Sequence, residues 1–159
     1  MNLFVTDKCP IKCAQYLDDK RVVKMVLETA QLLSTALRLN GYEGSDVYRA
    51  THVNHPATKW VAETKQNYLW TLRHFTALSV EYSKRYGKIH KCYHMYPAFL
   101  VLSDYLKEAE MTPFVNCAAN GSLGISYKHI NCVFTAYQLY LNDRWDHDRR
   151  EPTWHGKAA

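Results

Sequence analysis

Residues 19–41 read DKRVVKMVLETAQLLSTALRLNG, and this stretch settles the fold class. Arg21, Lys24, Glu28, Gln31, Thr35 and Arg38 recur at alternating three- and four-residue steps, which puts them on one face of a helix. Val22, Val23, Met25, Val26, Leu27, Ala30, Leu33, Ala36 and Leu37 fill the opposite face, so the helix is expected to lie on a core. The Asp18-Asp19 pair supplies an N-cap, and Asn40-Gly41 is a stop that tolerates left-handed backbone. Glu28 is an acid in a polar row that is otherwise neutral or basic. Two readings fit it: a surface carboxylate paired with Lys24 or Arg21, or an active-site carboxylate inside an anion-binding groove.

The flanking sequence is also helical. Met1 to Val5 form a short extended arm, and Cys9-Pro10 and Asp18-Asp19 bracket at most a short helix. Residues 41–55 read as a loop. Pro56 fits the first turn of a second long helix reaching Tyr86, with Gly87 as its stop and Trp60, Val61, Leu72, Phe75 and Leu78 among its core contacts. A third helix is expected from about Ala98 to Ala109 and a fourth from His129 to Arg144, separated by an irregular stretch around Pro113 and Asn120-Gly121. Without repeats, low-complexity segments or a linker, residues 1–159 are expected to form one domain. The expected architecture is all-α: a compact helical bundle with an N-terminal arm and an irregular aromatic C-terminal tail.

A chain of 159 residues buries roughly two-thirds of its unfolded surface without disulfide or metal staples. No apolar run approaches the roughly 20 residues needed to cross a bilayer, and the N-terminus lacks the layout of a secretory signal. A soluble, cytoplasmic protein with no membrane partner is therefore expected. The five cysteines, at 9, 13, 92, 117 and 132, are odd in number and contain no Cys-x-x-Cys unit, which favours free thiols. A zinc site from Cys9, Cys13, Cys92 and His94 is the weaker reading, since the spacings fit no finger well. No metal or other cofactor is expected.

The sequence has no phosphate-cradling glycine loop beyond the weak Gly121-Ser122-Leu123-Gly124, and no nucleophile elbow. Basic residues do recur beside aromatic ones: Lys59-Trp60, Lys84-Arg85-Tyr86 with Lys88, His90-Lys91, and Trp154-His155 with Lys157. Cations that meet phosphate beside rings that stack on bases are the elements of a nucleic-acid surface, and the net charge of +5 agrees with one. The plainer reading is that the rings are core and that Lys84 and Arg85 are cations at a helix C-terminus.

The stretch from Asp19 to Glu28, soon after a short arm, resembles the pyrimidine-dimer DNA glycosylase/AP lyase family of the T-even phage type, in which a catalytic Glu closes the same spacing on one helix. Lys84-Arg85-Tyr86-Gly87 is similar to the end of that family's second helix. Arg150-Glu151-Pro152-Thr153-Trp154 with Gly156-Lys157-Ala158 looks like its aromatic C-terminal segment. The opening Met-Asn-Leu-Phe-Val, the run from Asp19 to Met25, and Asn54-His55-Pro56 ahead of Trp60 resemble related phage proteins.

The resemblance implies a cofactor-free enzyme, acting as a monomer on double-stranded DNA, that excises damaged or modified pyrimidines, dimers above all. It implies catalysis by Met1 and Glu28. An α-amine titrates near 8, so a usable neutral fraction exists at pH 7, whereas a lysine near 10.4 is almost wholly protonated. The amine would be that of Met1, because Asn2 is too large for usual removal of the initiator Met. It would attack the sugar carbon that holds the base, with Glu28 stabilising the iminium and assisting β-elimination. The DNA-contacting residues implied are Asn2, Arg21, Lys24, Lys84, Arg85, Lys88, Trp154 and Lys157. This chemistry requires the Met1 amine to reach Glu28 from an arm several residues longer than the family's. His55 reads first as a cap ahead of Pro56. The alternatives are a phage DNA-binding or host-interaction protein without catalysis, and an enzyme acting on modified nucleotides. The lesion itself depends on pocket shape.

Overall fold

The computed structural model describes residues 1–155. The central helix, α2 (Asp19–Leu39), has the expected bounds. The Asn40 N–H closes its last turn on Ala36, and Gly41 follows at φ +93°, where a side chain would be strained. Arg38 then donates to the carbonyls of Tyr42, Val47 and Tyr48, so the loop after α2 is tied to the end of the helix that precedes it.

The two faces of α2 divide differently from the sequence pattern. Val23 and Leu27 are exposed, while Arg21 and Thr35 are buried. The reason is that α2 packs against both α3 (Pro56–Glu63) and α4 (Lys65–Tyr86), so every residue from Leu32 to Leu37 is buried and, apart from Leu39 at its end, only a narrow strip near the start is exposed. Thr35 is accommodated by hydrogen bonds with the backbone of Thr51 in both directions.

The expected helix from Pro56 to Tyr86 is two helices. Thr64 adopts extended backbone and its hydroxyl accepts the Asn67 N–H at 3.0 Å, which restarts the chain as α4. Asn67 in turn donates to the Trp60 carbonyl at the end of α3. α4 ends at Gly87, in left-handed backbone, as expected. Against it packs α1 (Pro10–Tyr16). The third helix is shorter than expected: α5 (Tyr96–Val101) passes into a 3₁₀ turn over Leu102–Tyr105. Two short antiparallel strands, β1 (Ala119–Asn120) and β2 (Ile125–Ser126), were not expected. Gly121-Ser122-Leu123-Gly124 is the turn between them, capped by Asn120, rather than a phosphate loop. The last helix, α6, runs Val133–Asp146.

The N-terminal arm crosses this framework with Leu3 and Val5 in the core and Gln138 of α6 donating to the Thr6 carbonyl. Phe4 bends it at φ +51°, a left-handed conformation uncommon for a bulky residue. The C-terminal segment folds back rather than protruding. The Asp19 N–H donates to the Thr153 carbonyl, and the Asp19 carboxylate accepts from the Thr153 hydroxyl, His155 and Arg85.

Candidate active site

Glu28 lies in the first half of α2, 13% exposed, and its two oxygens face different cations. Oε2 is 3.6 Å from the Met1 α-amine and Oε1 is 3.2 Å from Lys24 Nζ. The longer arm therefore does bring the amine to the carboxylate, and the ion pair with Lys24 forms as well. What places the amine is the neighbouring residue. Asn2 is buried; its Oδ1 accepts from the Leu3 N–H and the Tyr137 hydroxyl, both at 2.8 Å, while its Nδ2 donates to the Cys117 carbonyl. Tyr137 also accepts the Cys117 N–H. Asn2 thus anchors the arm to α6 and is not free to contact phosphate, contrary to the sequence expectation.

The pair opens into a cavity of about 340 Å³. Phe4 and Tyr140, ring centroids 6.2 Å apart and nearly parallel, form part of its apolar wall. Lys20, Lys24 and Arg144 supply cations, and Arg144 has no ion-pair partner among the described residues. His55 also lines the cavity, and it keeps its role as the cap of α3 through Nδ1, which accepts the Ala57 N–H. Burial first, then the Met1 amine, His52 and Lys128, push its pKa below the ordinary imidazole value, against an opposing pull from Glu28. Cys117, on the same wall, has its thiol pKa raised by burial.

The basic residues marked in the sequence part company here. Lys24 is exposed at the cavity rim. Arg21 touches the cavity, yet its guanidinium is buried and bonded to Asp18 at 2.9 Å and Asp148 at 2.8 Å, so it holds the end of α6 to the start of α2. The Arg85 side chain is 0% exposed, with its donors on Asp19, Glu81 and the Leu17 carbonyl; its guanidinium offers no surface to DNA. Lys84 and Lys88 are exposed but lie away from the cavity. Trp154 packs edge-on against Trp145 and donates to the Tyr16 carbonyl. Lys157 lies outside the described residues.

Arg144, Tyr140, Asn120 and Cys117 line the cavity without having been picked out from the sequence. Tyr137, Tyr140 and Arg144 stand at i, i+3 and i+7, a one-face spacing that was available as a signal. No three His, Cys, Asp or Glu side chains converge to hold a metal ion among the described residues.

The family model described as pyrimidine dimer DNA glycosylase matches residues 1–94, more than half of the chain. The chain belongs to the pyrimidine dimer DNA glycosylase family. DNA is accordingly its substrate, and its general activity is glycosylase action in DNA repair. The matched part of this glycosylase carries Met1, Glu28 and His55, while β1 and α6 complete the cavity from outside it. No curated protein and no solved structure matches the chain. No helix among the described residues is long and apolar enough to cross a membrane.

Proposed function

We propose that this glycosylase is also an AP lyase. It works as a cytoplasmic monomer without a cofactor, releases pyrimidine-dimer bases from duplex DNA, and cuts the strand through an imine to the Met1 α-amine. The observation that carries this reading is the 3.6 Å approach of that amine to Glu28 inside a cation-rimmed cavity.

The neutral amine attacks C1′ of the damaged nucleotide. The pyrimidine leaves with the electron pair of its C1′–N bond and takes up a solvent proton. One amine proton passes to Glu28, which lies within reach of the attacking nitrogen. The nitrogen lone pair then forms the C1′=N bond as C1′–O4′ breaks, and O4′ takes the proton from Glu28. Glu28, again a carboxylate, stabilises the iminium and accepts the C2′ proton. As the 3′ phosphate departs with its bonding electrons a C2′–C3′ double bond forms, and water hydrolyses the imine to regenerate the amine.

Lys20, Lys24 and Arg144 neutralise phosphates around the expelled nucleotide, with the exposed Lys84 and Lys88 meeting the duplex farther out. Removing a nucleotide from the stack requires distorting the duplex, which these contacts offset.

Borohydride reduction during incubation with dimer-containing duplex is expected to leave a covalent adduct on the peptide that begins at Met1. Acetylating the amine abolishes the adduct, and Glu28→Gln abolishes strand cleavage while DNA binding persists. Binding without an adduct and without nicking by the unmodified protein would overturn the proposal in favour of a non-catalytic DNA-binding protein.

A further inference from the structure

A third group stands beside the amine and the carboxylate. His55 occupies the N-cap of α3, at φ −66° and ψ 136°. Pro56 has no N–H, so the first donor of that helix is Ala57, and its N–H goes to His55 Nδ1 at 3.1 Å. A ring nitrogen that accepts a hydrogen bond carries no proton, so the neutral imidazole keeps its proton on Nε2. The ring lines the cavity that holds Met1 and Glu28, and Nε2 has no protein partner among the described residues.

The groups whose charges act on the ring are the Met1 amine, His52 and Lys128, with Glu28 opposing, and burial adds to the first three. The N-terminus of α3 acts in the same sense. Together they keep His55 neutral at pH 7, so it is a hydrogen-bond donor toward the cavity and does not give up its proton.

We infer that His55 is a catalytic residue whose Nε2–H donates a hydrogen bond to the sugar ring oxygen O4′ as the C1′–O4′ bond opens. This rests on the Met1 amine as nucleophile. Stereochemistry selects the oxygen. An amine that displaces the base approaches C1′ from the side opposite the departing pyrimidine, so a donor beside the amine faces O4′ and not the oxygens of the base. As C1′–O4′ breaks, O4′ gains the electron pair, and a fixed neutral donor stabilises that charge until the proton from Glu28 arrives. His55 gains and loses nothing in the step.

His55→Asn tests this while preserving the fold, because Asn is a strong N-cap and can still accept the Ala57 N–H but is too short to place a donor where Nε2 stands. In single-turnover borohydride trapping on a duplex with a preformed abasic site, His55→Asn is expected to be slower by about 100-fold, the usual effect of losing one such donor. Its affinity for undamaged duplex, which presents no expelled sugar to the cavity, is expected to be unchanged.

A second measurement uses the unaltered protein. It should bind a duplex containing a tetrahydrofuran abasic analogue several-fold more tightly than one containing the cyclopentane analogue, which differs only at O4′. Trapping of the abasic duplex by His55→Asn at the unaltered rate, or equal binding of the two analogues, overturns the inference. A defect confined to dimer substrates would place the donor at the base and also overturns it. If the unaltered protein gives no adduct at all, the nucleophile reading fails, and the analogue comparison still decides whether O4′ is recognised.

Discussion

Replacing Tyr137 by Phe removes one oxygen from the junction that places the amine. That oxygen donates to Asn2 Oδ1 at 2.8 Å and accepts the Cys117 N–H at 3.1 Å, on a side chain 1% exposed. Asn2 Oδ1 retains the Leu3 N–H, so its loss is one hydrogen bond, about 1 kcal/mol. The Cys117 N–H is left buried without a partner, at about 1–3 kcal/mol. Relief of the buried hydroxyl's own desolvation offsets part of this, and the net destabilisation is expected to be about 2 kcal/mol. In a chain of this size that lowers the thermal midpoint by about 4–8 °C. The kinetic effect is the larger one. The released arm lets the amine drift from Glu28, and a displacement of about 1 Å at a reacting atom lowers rates by up to about 100-fold. Urea denaturation gives the first quantity, and borohydride trapping at a temperature where Tyr137→Phe is fully folded gives the second. Trapping at the unaltered rate by a destabilised Tyr137→Phe protein would refute the tether as the device that positions Met1. An unchanged midpoint would refute the hydrogen-bond account itself.

Arg85→Met removes the buried cation between Asp19 and Glu81, which keep Thr153, His155 and Lys84 as partners, and is expected to lower stability by about 1.5–3 kcal/mol in chemical denaturation; a loss below about 1 kcal/mol would contradict its role as the tie between α4 and the start of α2. Lys24→Ala, at a side chain 72% exposed, should leave the midpoint nearly unchanged and reduce the salt-dependence slope of DNA binding by about 1, which binding titrations at several salt concentrations check. Burial lowers the His74 pKa from 6.5 to about 4, the neutral ring donating from Nδ1 to the Pro10 carbonyl. The unfolded chain therefore takes up this proton first, so the contribution of His74 is complete above about pH 6.5. It is lost on acidification toward pH 4, by about 3 kcal/mol in all, and levels off below that. Denaturation midpoints across that range should show this leg, and His74→Gln should flatten it.

The features legible in the sequence are those set by neighbouring residues. Asn40-Gly41 and Gly87 end their helices because their backbone requirements are local. The break at Thr64 is also local, a Thr-x-x-Asn cap inside a polar run, and was outweighed by the continuous hydrophobic period around it. The family was readable from several short local runs, the ten residues from Asp19 to Glu28 foremost among them. The fate of the arginines was not. Arg21 is buried by Asp148, 127 positions away, and Arg85 by Asp19, 66 positions away; no local pattern distinguishes such a cation from one that meets phosphate. Asn2 took its meaning from Tyr137 in the same way, and His55 needed the structure to show that a capping ring can also line the cavity that holds the Met1 amine.

The two parts of the cavity wall have a consequence for how such an enzyme diversifies. The proposed nucleophile, Met1, and its carboxylate, Glu28, sit in one stretch of chain, whereas Asn120, Tyr140 and Arg144, which line the same cavity, sit in another. Mutation can therefore change what fits without changing what attacks. Libraries randomised at Asn120, Tyr140 and Arg144, with Met1, Glu28 and the Asn2–Tyr137 tether held fixed, would explore new lesions on unchanged chemistry.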